Sequence, residues 1–156
     1  MKEIEDLLGE IDVLRDLEPA QLGLIAGCGK NVVFSDGERL AAAGDSATTF
    51  YALRRGSVAL ELVPAVGPPL VIETLEAGDV VGWSWLFEPH LTQFDIRARG
   101  DVGAIAIDGT CLRGKCEADH DLGYELMRRF AALITDRLQA TRVRLLDVYG
   151  RPGPGG

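Results

Sequence analysis

The chain has 156 residues, a length that suits one globular domain with its own hydrophobic core. Hydrophobic residues make up 47% and charged residues 26%, and no apolar run approaches the roughly 20 residues that span a bilayer. The net charge of −8 argues against a DNA-binding role for the whole chain, because phosphate contacts require clustered Lys and Arg. The first residues, MKEIEDLLGEID, lack the basic start and apolar block of a signal peptide, so we expect a cytoplasmic protein that contacts no membrane.

The charge is unevenly distributed along the chain. Between residues 124 and 151 there are six arginines and three acidic residues, which makes this stretch near +3 and the preceding part near −11. A solvated helix face explains the arginines. A docking surface for an acidic protein partner is the alternative.

The three cysteines, Cys28, Cys111 and Cys116, form an odd set in a chain that lacks a secretory signal. We therefore expect no disulfide framework, and we interpret Cys28 as a small buried residue. We expect no metal site at Cys116 and His120, since such a site needs three or four convergent ligands.

Helical periodicity dominates residues 2–27. Apolar residues recur at helical spacing over residues 2–15, which predicts an amphipathic helix there. Pro19 favours the start of a second helix, and glycines at positions 27 and 29 end it.

From residue 31 to 107 short strand-like runs alternate with glycine-containing turns about every ten residues. The runs are NVVF, RLAA, TFYALRR, VALELV, LVIETL, FDIRAR and VGAIAID. This texture predicts an antiparallel sandwich or barrel with many short strands.

Helical texture returns over residues 109–148. Asp108 is predicted to be the N-cap of a short helix, and a longer helix is predicted over residues 121–148. Its apolar stripe exceeds what the strands alone should cover, which favours a homodimer through paired helices. The residues expected in this interface are Leu126, Phe130, Leu133 and Leu138. One domain over residues 1–149 and a flexible tail over residues 150–156 complete the predicted organisation.

Several short motifs follow one another between Phe34 and Asp108. They are Gly37-Glu38, Gly44-Asp45, Phe50-Tyr51-x-Leu53-x-x-Gly56-x-Val58, Gly78-Asp79, Gly82, Leu86-Phe87, Arg97-Ala98 and Ala104-Ile105-Ala106-Ile107. In this order and spacing the segment resembles the cyclic-nucleotide-binding domain of the Crp–Fnr regulator family. The resemblance implies a mainly β fold, a double-stranded β-helix (a jelly-roll-like β-roll) with N-terminal helices and a long C-terminal helix. It also implies a non-enzymatic regulator. The family's helix-turn-helix domain has no counterpart in this sequence, so we expect no direct DNA binding.

In this family the ligand lies in a phosphate-binding cassette, which is a short helix and a loop. An arginine of the cassette neutralises the phosphate, and a glutamate accepts a hydrogen bond from the ribose hydroxyl. Gly82 matches the start of the cassette, but Trp83 stands at the glutamate, and Thr92 and Gln93 fall where the arginine and its neighbour would be. Both charged anchors are therefore missing. Ser84, Thr92 and Gln93 can still donate hydrogen bonds to an anion.

Two functional hypotheses remain open at this point. The first is a sensor that takes a cyclic nucleotide or another small ligand, needs no other cofactor and signals through its C-terminal helix. Its divergent pocket would be formed by Gly82, Trp83, Ser84, Trp85, Thr92 and Gln93. The second is a ligand-free accessory protein in which Trp83 or Trp85 fills the pocket. The WSWLF and LLDVYG segments resemble short family members that accompany redox enzymes such as hydrogenases.

Overall fold

The computed structural model of the protein describes residues 3–82, 84–86 and 90–147. Within these residues two helices come first, the strands of the roll follow, and two further helices end the described chain. They are α1 (Ile4–Leu8), α2 (Pro19–Ala26), β1 (Gly29–Phe34), β2 (Arg39–Ala41), β3 (Thr49–Leu62), β4 (Leu70–Glu76), β5 (Val80–Val81), β6 (Asp95–Asp108), α3 (Gly109–Ala118) and α4 (His120–Leu145). Short 3-10 turns lie at Asp12–Leu14 and Ser84–Leu86.

The strands form one antiparallel sheet that closes into a roll. Its main path is β1-β6-β3-β4, with β2 paired to β6 and β5 paired to β3. The two long strands β3 and β6 pair along most of their lengths and carry the other strands on their outer edges. The predicted β-roll with N-terminal helices and a long C-terminal helix is confirmed.

The prediction from the sequence was wrong in dividing β3 and β6 into separate short strands. Each is one continuous strand of 14 residues, and the glycines taken for turns bend these strands instead of ending them. Gly56 has φ +79° and Gly100 has φ +75°, and the β3–β6 register shifts on both sides of Arg55. Bulges of this kind bend a strand and interrupt its pairing only locally.

At Gly56 the backbones of β3 and β6 approach so closely that a side chain should destabilise the fold. A Cβ atom at Gly56 would lie 2.3 Å from the Asp101 carbonyl oxygen, whereas one at Gly44, where φ is +90°, would meet nothing within 4 Å. We expect Gly44→Ala to lower the free energy of unfolding by about 1 kcal/mol through backbone strain alone. Gly56→Ala adds a clash between backbones and should cost about 3 kcal/mol. Equal losses for the two variants in urea unfolding would contradict the close approach.

The N-terminal helix is shorter than the sequence predicts. It ends at Leu8, and the backbone N–H of Asp12 donates to the carbonyl of Gly78 at 2.9 Å, which draws the chain onto the roll. A 3-10 turn follows, and Asp16 adopts a left-handed conformation with φ +67°. The apolar spacing over residues 2–15 therefore reflects two short elements that bury the same side, not one helix.

Aspartates cap both C-terminal helices. The Asp108 Oδ1 atom accepts from the Cys111 backbone N–H at 2.9 Å, and the Asp119 carboxylate accepts from Leu122 at 3.1 Å. Each satisfies one of the backbone donors that a helix leaves open at its start. The predicted cap at Asp108 is confirmed, and Asp119 turns the chain directly from α3 into α4.

Two hydrophobic cores share the molecule. An inner core lies within the roll and includes Leu53, Val58, Leu75, Val81 and Ile96. An outer core lies between the roll and the helices and includes Leu8, Ile25, Phe50, Trp85, Ile107, Leu112, Leu122, Leu126 and Phe130. The outer core therefore fixes α4 against the roll.

The expectation that no disulfide forms is wrong, since Cys28 and Cys111 are bonded to each other. They lie 83 positions apart in sequence, but β1 pairs with the end of β6, with Gly29 opposite Ile107. The residues flanking this pairing therefore meet, and the Asp108 N–H donates to the Cys28 carbonyl at 2.9 Å. Cys116 remains a free thiol. An odd number of cysteines thus did not exclude one bridge.

Candidate ligand-binding site

The turn after β5 positions the first group of predicted site residues. Gly82 has φ +90°, and its Cα lies close over β3, where an added Cβ would be 3.5 Å from the Thr49 carbonyl oxygen. Glycine adopts this conformation without steric cost. The 3-10 turn that follows places Ser84 and Trp85 on different sides of the roll. Trp83 lies outside the described residues.

The returning segment before β6 positions the second group. Thr92 exchanges two backbone hydrogen bonds with the turn at residues 44–45, one with Gly44 and one with Asp45, each 2.8 Å long. An isolated bridge between Ser46 and Leu91 holds the same segment. Gln93 donates from its side-chain Nε2 to the Leu91 carbonyl at 3.2 Å. Backbone hydrogen bonds therefore fix Thr92, and a side-chain hydrogen bond to the preceding backbone orients Gln93.

These two groups and α4 enclose a cavity of about 300 Å³. Of the six predicted pocket residues, Gly82, Ser84, Thr92 and Gln93 line it. The remaining wall is formed by Leu60, Ile72, Glu73, Val81, Phe94 and Ile96 of the roll and by Ile134, Arg137, Leu138 and Thr141 of α4. The volume lies at the lower end of the range for small-molecule sites, and the lining is largely apolar with a few polar groups, as such sites are.

Trp85 does not fill this cavity. Its side chain is 1% exposed and belongs to the outer core, where its ring stacks on Phe50 with centroids 5.0 Å apart. It also meets Phe130 of α4 edge to face at 5.9 Å. Trp85 therefore neither fills nor lines this cavity, and its assignment as a ligand contact stays a prediction.

Arg137 is the site residue that sequence reasoning missed. It projects from α4 into the cavity wall, and its Nη2 donates to the Val80 carbonyl at 2.9 Å. Burial lowers the pKa of the guanidinium below its ordinary value, and the carboxylates of Glu73 and Asp79 act in the opposite direction. The signal was its place in the helix, because it follows Ile134 by three positions and precedes Leu138 in the apolar stripe.

The residues assigned to a dimer helix divide into two groups. Leu126 and Phe130 are each 1% exposed within the outer core of their own domain, so the interface assignment of these two residues is wrong. Leu133 is partly buried against the same core. Leu138 lines the cavity and is 48% exposed. The first half of the stripe therefore packs on its own roll.

Residues 31–119 match the family model described as the cyclic nucleotide-binding domain. The match covers more than half of the chain, and the roll with its flanking helices agrees with it. The protein belongs to the cyclic nucleotide-binding domain family, and its structural relatives include regulators of the catabolite activator type. A search of curated proteins found no significant match.

Solved structures with similar folds come from several organisms. A candidate cyclic nucleotide-binding protein from Geobacter metallireducens GS-15 is 27% identical, with a TM-score of 0.73 over 88% of this chain and 99% of that one. A cyclic nucleotide-binding domain from Methylobacillus flagellatus KT is 16% identical, with a TM-score of 0.79 over 97% of this chain and 84% of that one. The Thermus thermophilus catabolite activator protein is 18% identical, with a TM-score of 0.71 over 86% of this chain and 61% of that one. In the part of the chain that the structure describes, no helix is both long and apolar enough to cross a membrane.

Proposed function

We propose that the protein is a non-enzymatic sensor whose cavity takes a small anion of the cyclic-nucleotide class and whose C-terminal helix responds to it. The observation that carries this proposal is the composition of the cavity wall. The roll supplies Ser84, Thr92 and Gln93 on one side, and α4 supplies Arg137 on the other. A ligand held between them contacts both the fixed roll and the helix.

The arginine and glutamate that the cassette lacks have counterparts in Arg137 of α4 and Glu73 of β4, which line the same cavity. The Arg137 guanidinium supplies the cation for a phosphate, and the hydroxyl groups of Ser84 and Thr92 supply neutral donors. The Glu73 carboxylate of β4 lines the same cavity and supplies an acceptor for a sugar hydroxyl. Burial lowers the pKa of Arg137, and an incoming anion would act in the opposite direction because it favours the charged guanidinium. The cavity therefore suits an anion that also carries hydroxyl groups.

The contacts of α4 supply the route from ligand to signal. The helix is tied to β5 through Arg137 and to β4 through Arg144, whose Nη1 donates to the Ile72 carbonyl at 2.9 Å. A phosphate that recruits the Arg137 guanidinium competes with the carbonyl of Val80 for it. Binding then shifts the position of the second half of α4, because its attachment to the roll changes.

Arg137→Gln tests the proposed anion contact. A charge-assisted hydrogen bond contributes about 1.5–3 kcal/mol, so the variant should bind cyclic AMP or cyclic GMP at least about tenfold more weakly. The measurement is isothermal titration calorimetry of the full chain with each nucleotide. The same titration with Arg142→Gln, an exposed arginine on the same helix, provides the matched control and should leave the Kd unchanged.

Two results contradict the proposal. One is that the wild-type chain binds none of a panel of cyclic mononucleotides, cyclic dinucleotides and inorganic phosphate. The other is that a probe binds, but Arg137→Gln and Arg142→Gln weaken it equally. Circular dichroism of both variants verifies that Arg137→Gln retains the fold, since the substitution also removes the hydrogen bond to Val80.

The second half of α4 also supports a homodimer. Leu138 and Val143 on this half are 48% and 57% exposed, and Leu146 directly after it is 60% exposed. A second copy of α4 would cover them, as paired helices do. Exposed Arg142 borders the same surface, so an acidic protein partner is the alternative occupant. Sedimentation equilibrium of the isolated chain separates these cases: a dimer that Val143→Glu with Leu146→Glu dissociates supports the homodimer, and a monomeric wild type contradicts it.

A further inference from the structure

The Cys28–Cys111 disulfide joins two layers of the molecule. Cys28 lies between α2 and β1, and Cys111 lies in the first turn of α3, with their Cα atoms 5.8 Å apart. One polar contact reinforces the same junction, because the Lys115 ammonium of α3 donates to the Leu24 carbonyl of α2 at 2.6 Å. The bridge therefore attaches α3 to the N-terminal helices.

The helix α3 also touches the elements that build the ligand cavity. Its Arg113 guanidinium donates to the carbonyl of Trp85, in the turn that carries Ser84. Leu112 packs in the outer core together with Leu122 of α4. A displacement of α3 would therefore affect both the turn at Ser84–Leu86 and the start of α4.

Few buried side chains hold α3 in place. Among its ten residues Gly109 and Leu112 are buried, and Cys111 and Cys116 are partly buried against the outer core. Gly114 in its middle lowers helix propensity by about 1 kcal/mol relative to alanine. An added Cβ at Gly114 would meet nothing within 4 Å, so no close packing requires a glycine there. A helix with so few buried contacts belongs to the part of a protein that opens locally at low free energy.

The sulfur atoms are placed for exchange with an external thiol. Cys28 is 9% exposed and Cys111 is partly exposed, so Cys111 is the more accessible residue of the pair. The free thiol of Cys116 lies on the same helix. Burial and the carboxylates of Asp119 and Glu117 raise its pKa, so at neutral pH it stays protonated and is a poor nucleophile toward the bridge.

We propose that this disulfide is a redox-sensitive staple that lets the domain respond to the thiol–disulfide state of its surroundings. The thiolate of a dithiol reductant attacks Cys111 Sγ, and Cys28 leaves as a thiolate that takes up a proton. The second thiol of the reductant then displaces Cys111, which leaves two protein thiols and an oxidised, disulfide-bonded reductant. Reduction releases the first turn of α3, and oxidation fixes it. This response is independent of which ligand enters the cavity.

Thiol counting tests the staple directly. The full chain is equilibrated in mixtures of reduced and oxidised dithiothreitol, alkylated, and analysed by mass spectrometry. We expect one reversible transition between one and three alkylated thiols, with Cys28 and Cys111 as the changing pair. Cys116→Ser should show the same transition between zero and two alkylated thiols, and Cys111→Ser should show none. Three alkylated thiols throughout, or a bridge that contains Cys116, would overturn the proposal.

Hydrogen exchange tests whether the bridge is a switch or only a crosslink. Amide groups of residues 109–118 should exchange at least about tenfold faster in the reduced chain than in the oxidised chain, while those of β4, which lies on the other edge of the sheet, should change less. The comparison uses wild-type protein in both states, so it does not depend on whether Cys111→Ser folds. Equal exchange of α3 in the two states would overturn the switch.

Discussion

Trp85→Ala is expected to lower the free energy of unfolding by about 4 kcal/mol, since removal of a buried Trp or Phe side chain typically costs about 3–5 kcal/mol. The indole is 1% exposed and fills the space between the roll and α4. It stacks on Phe50 with an angle of 11° between the planes, and it meets Phe130 at 84°. Its removal therefore leaves a cavity where β3 and α4 meet.

Trp85→Phe is the informative companion of the alanine variant. The indole Nε1 is buried without a hydrogen-bond partner among the described residues, so a phenyl ring removes a donor whose burial is unfavourable. We expect Trp85→Phe to cost less than half as much as Trp85→Ala. Tyr124→Ala, which removes a ring that is 71% exposed, should cost under about 1 kcal/mol. Chemical unfolding measures all three, and a loss for Trp85→Ala no larger than that for Tyr124→Ala would contradict the packing.

Reduction of the Cys28–Cys111 bridge is expected to have an effect of similar size. The bridge spans 83 positions, and the chain-entropy model gives about 4.5 kcal/mol for a loop of that length. Urea unfolding of the oxidised and reduced wild-type chain measures the difference. Cys116→Ser should show the same loss on reduction, and Cys28→Ser should show none, because no bridge remains to be reduced. Equal stabilities of oxidised and reduced wild type would contradict a native disulfide.

The roll and its glycine-bearing turns were predictable because their signals are local. Gly82 and Gly44 adopt positive φ angles in the observed structure, and Asp108 caps a helix where a cap was expected. Alternation of apolar residues and spacing of turns depend on neighbours only a few positions apart. Gly56 marks where this reasoning ends, because a glycine in a long bent strand looks in sequence like a glycine between two short ones.

The candidate site was predictable only in part, because its second wall comes from a distant element. Ser84 and Thr92 follow from their positions in the cassette, which is one continuous stretch of sequence. Arg137 reaches the cavity from α4, and the residues around it do not predict which part of the roll that helix packs against. The disulfide escaped prediction for the same reason, since Cys28 and Cys111 meet through the pairing of β1 with β6.

The central claim is that one ligand contacts the roll and α4 together, and hydrogen exchange of the full chain with saturating cyclic nucleotide tests it most directly. We predict that amide groups of residues 134–141 in α4 and of residues 91–94 exchange at least about threefold more slowly with ligand bound, while those of α1 do not change. Slower exchange in the roll with none in α4, or no change anywhere with any cyclic nucleotide, would contradict the account.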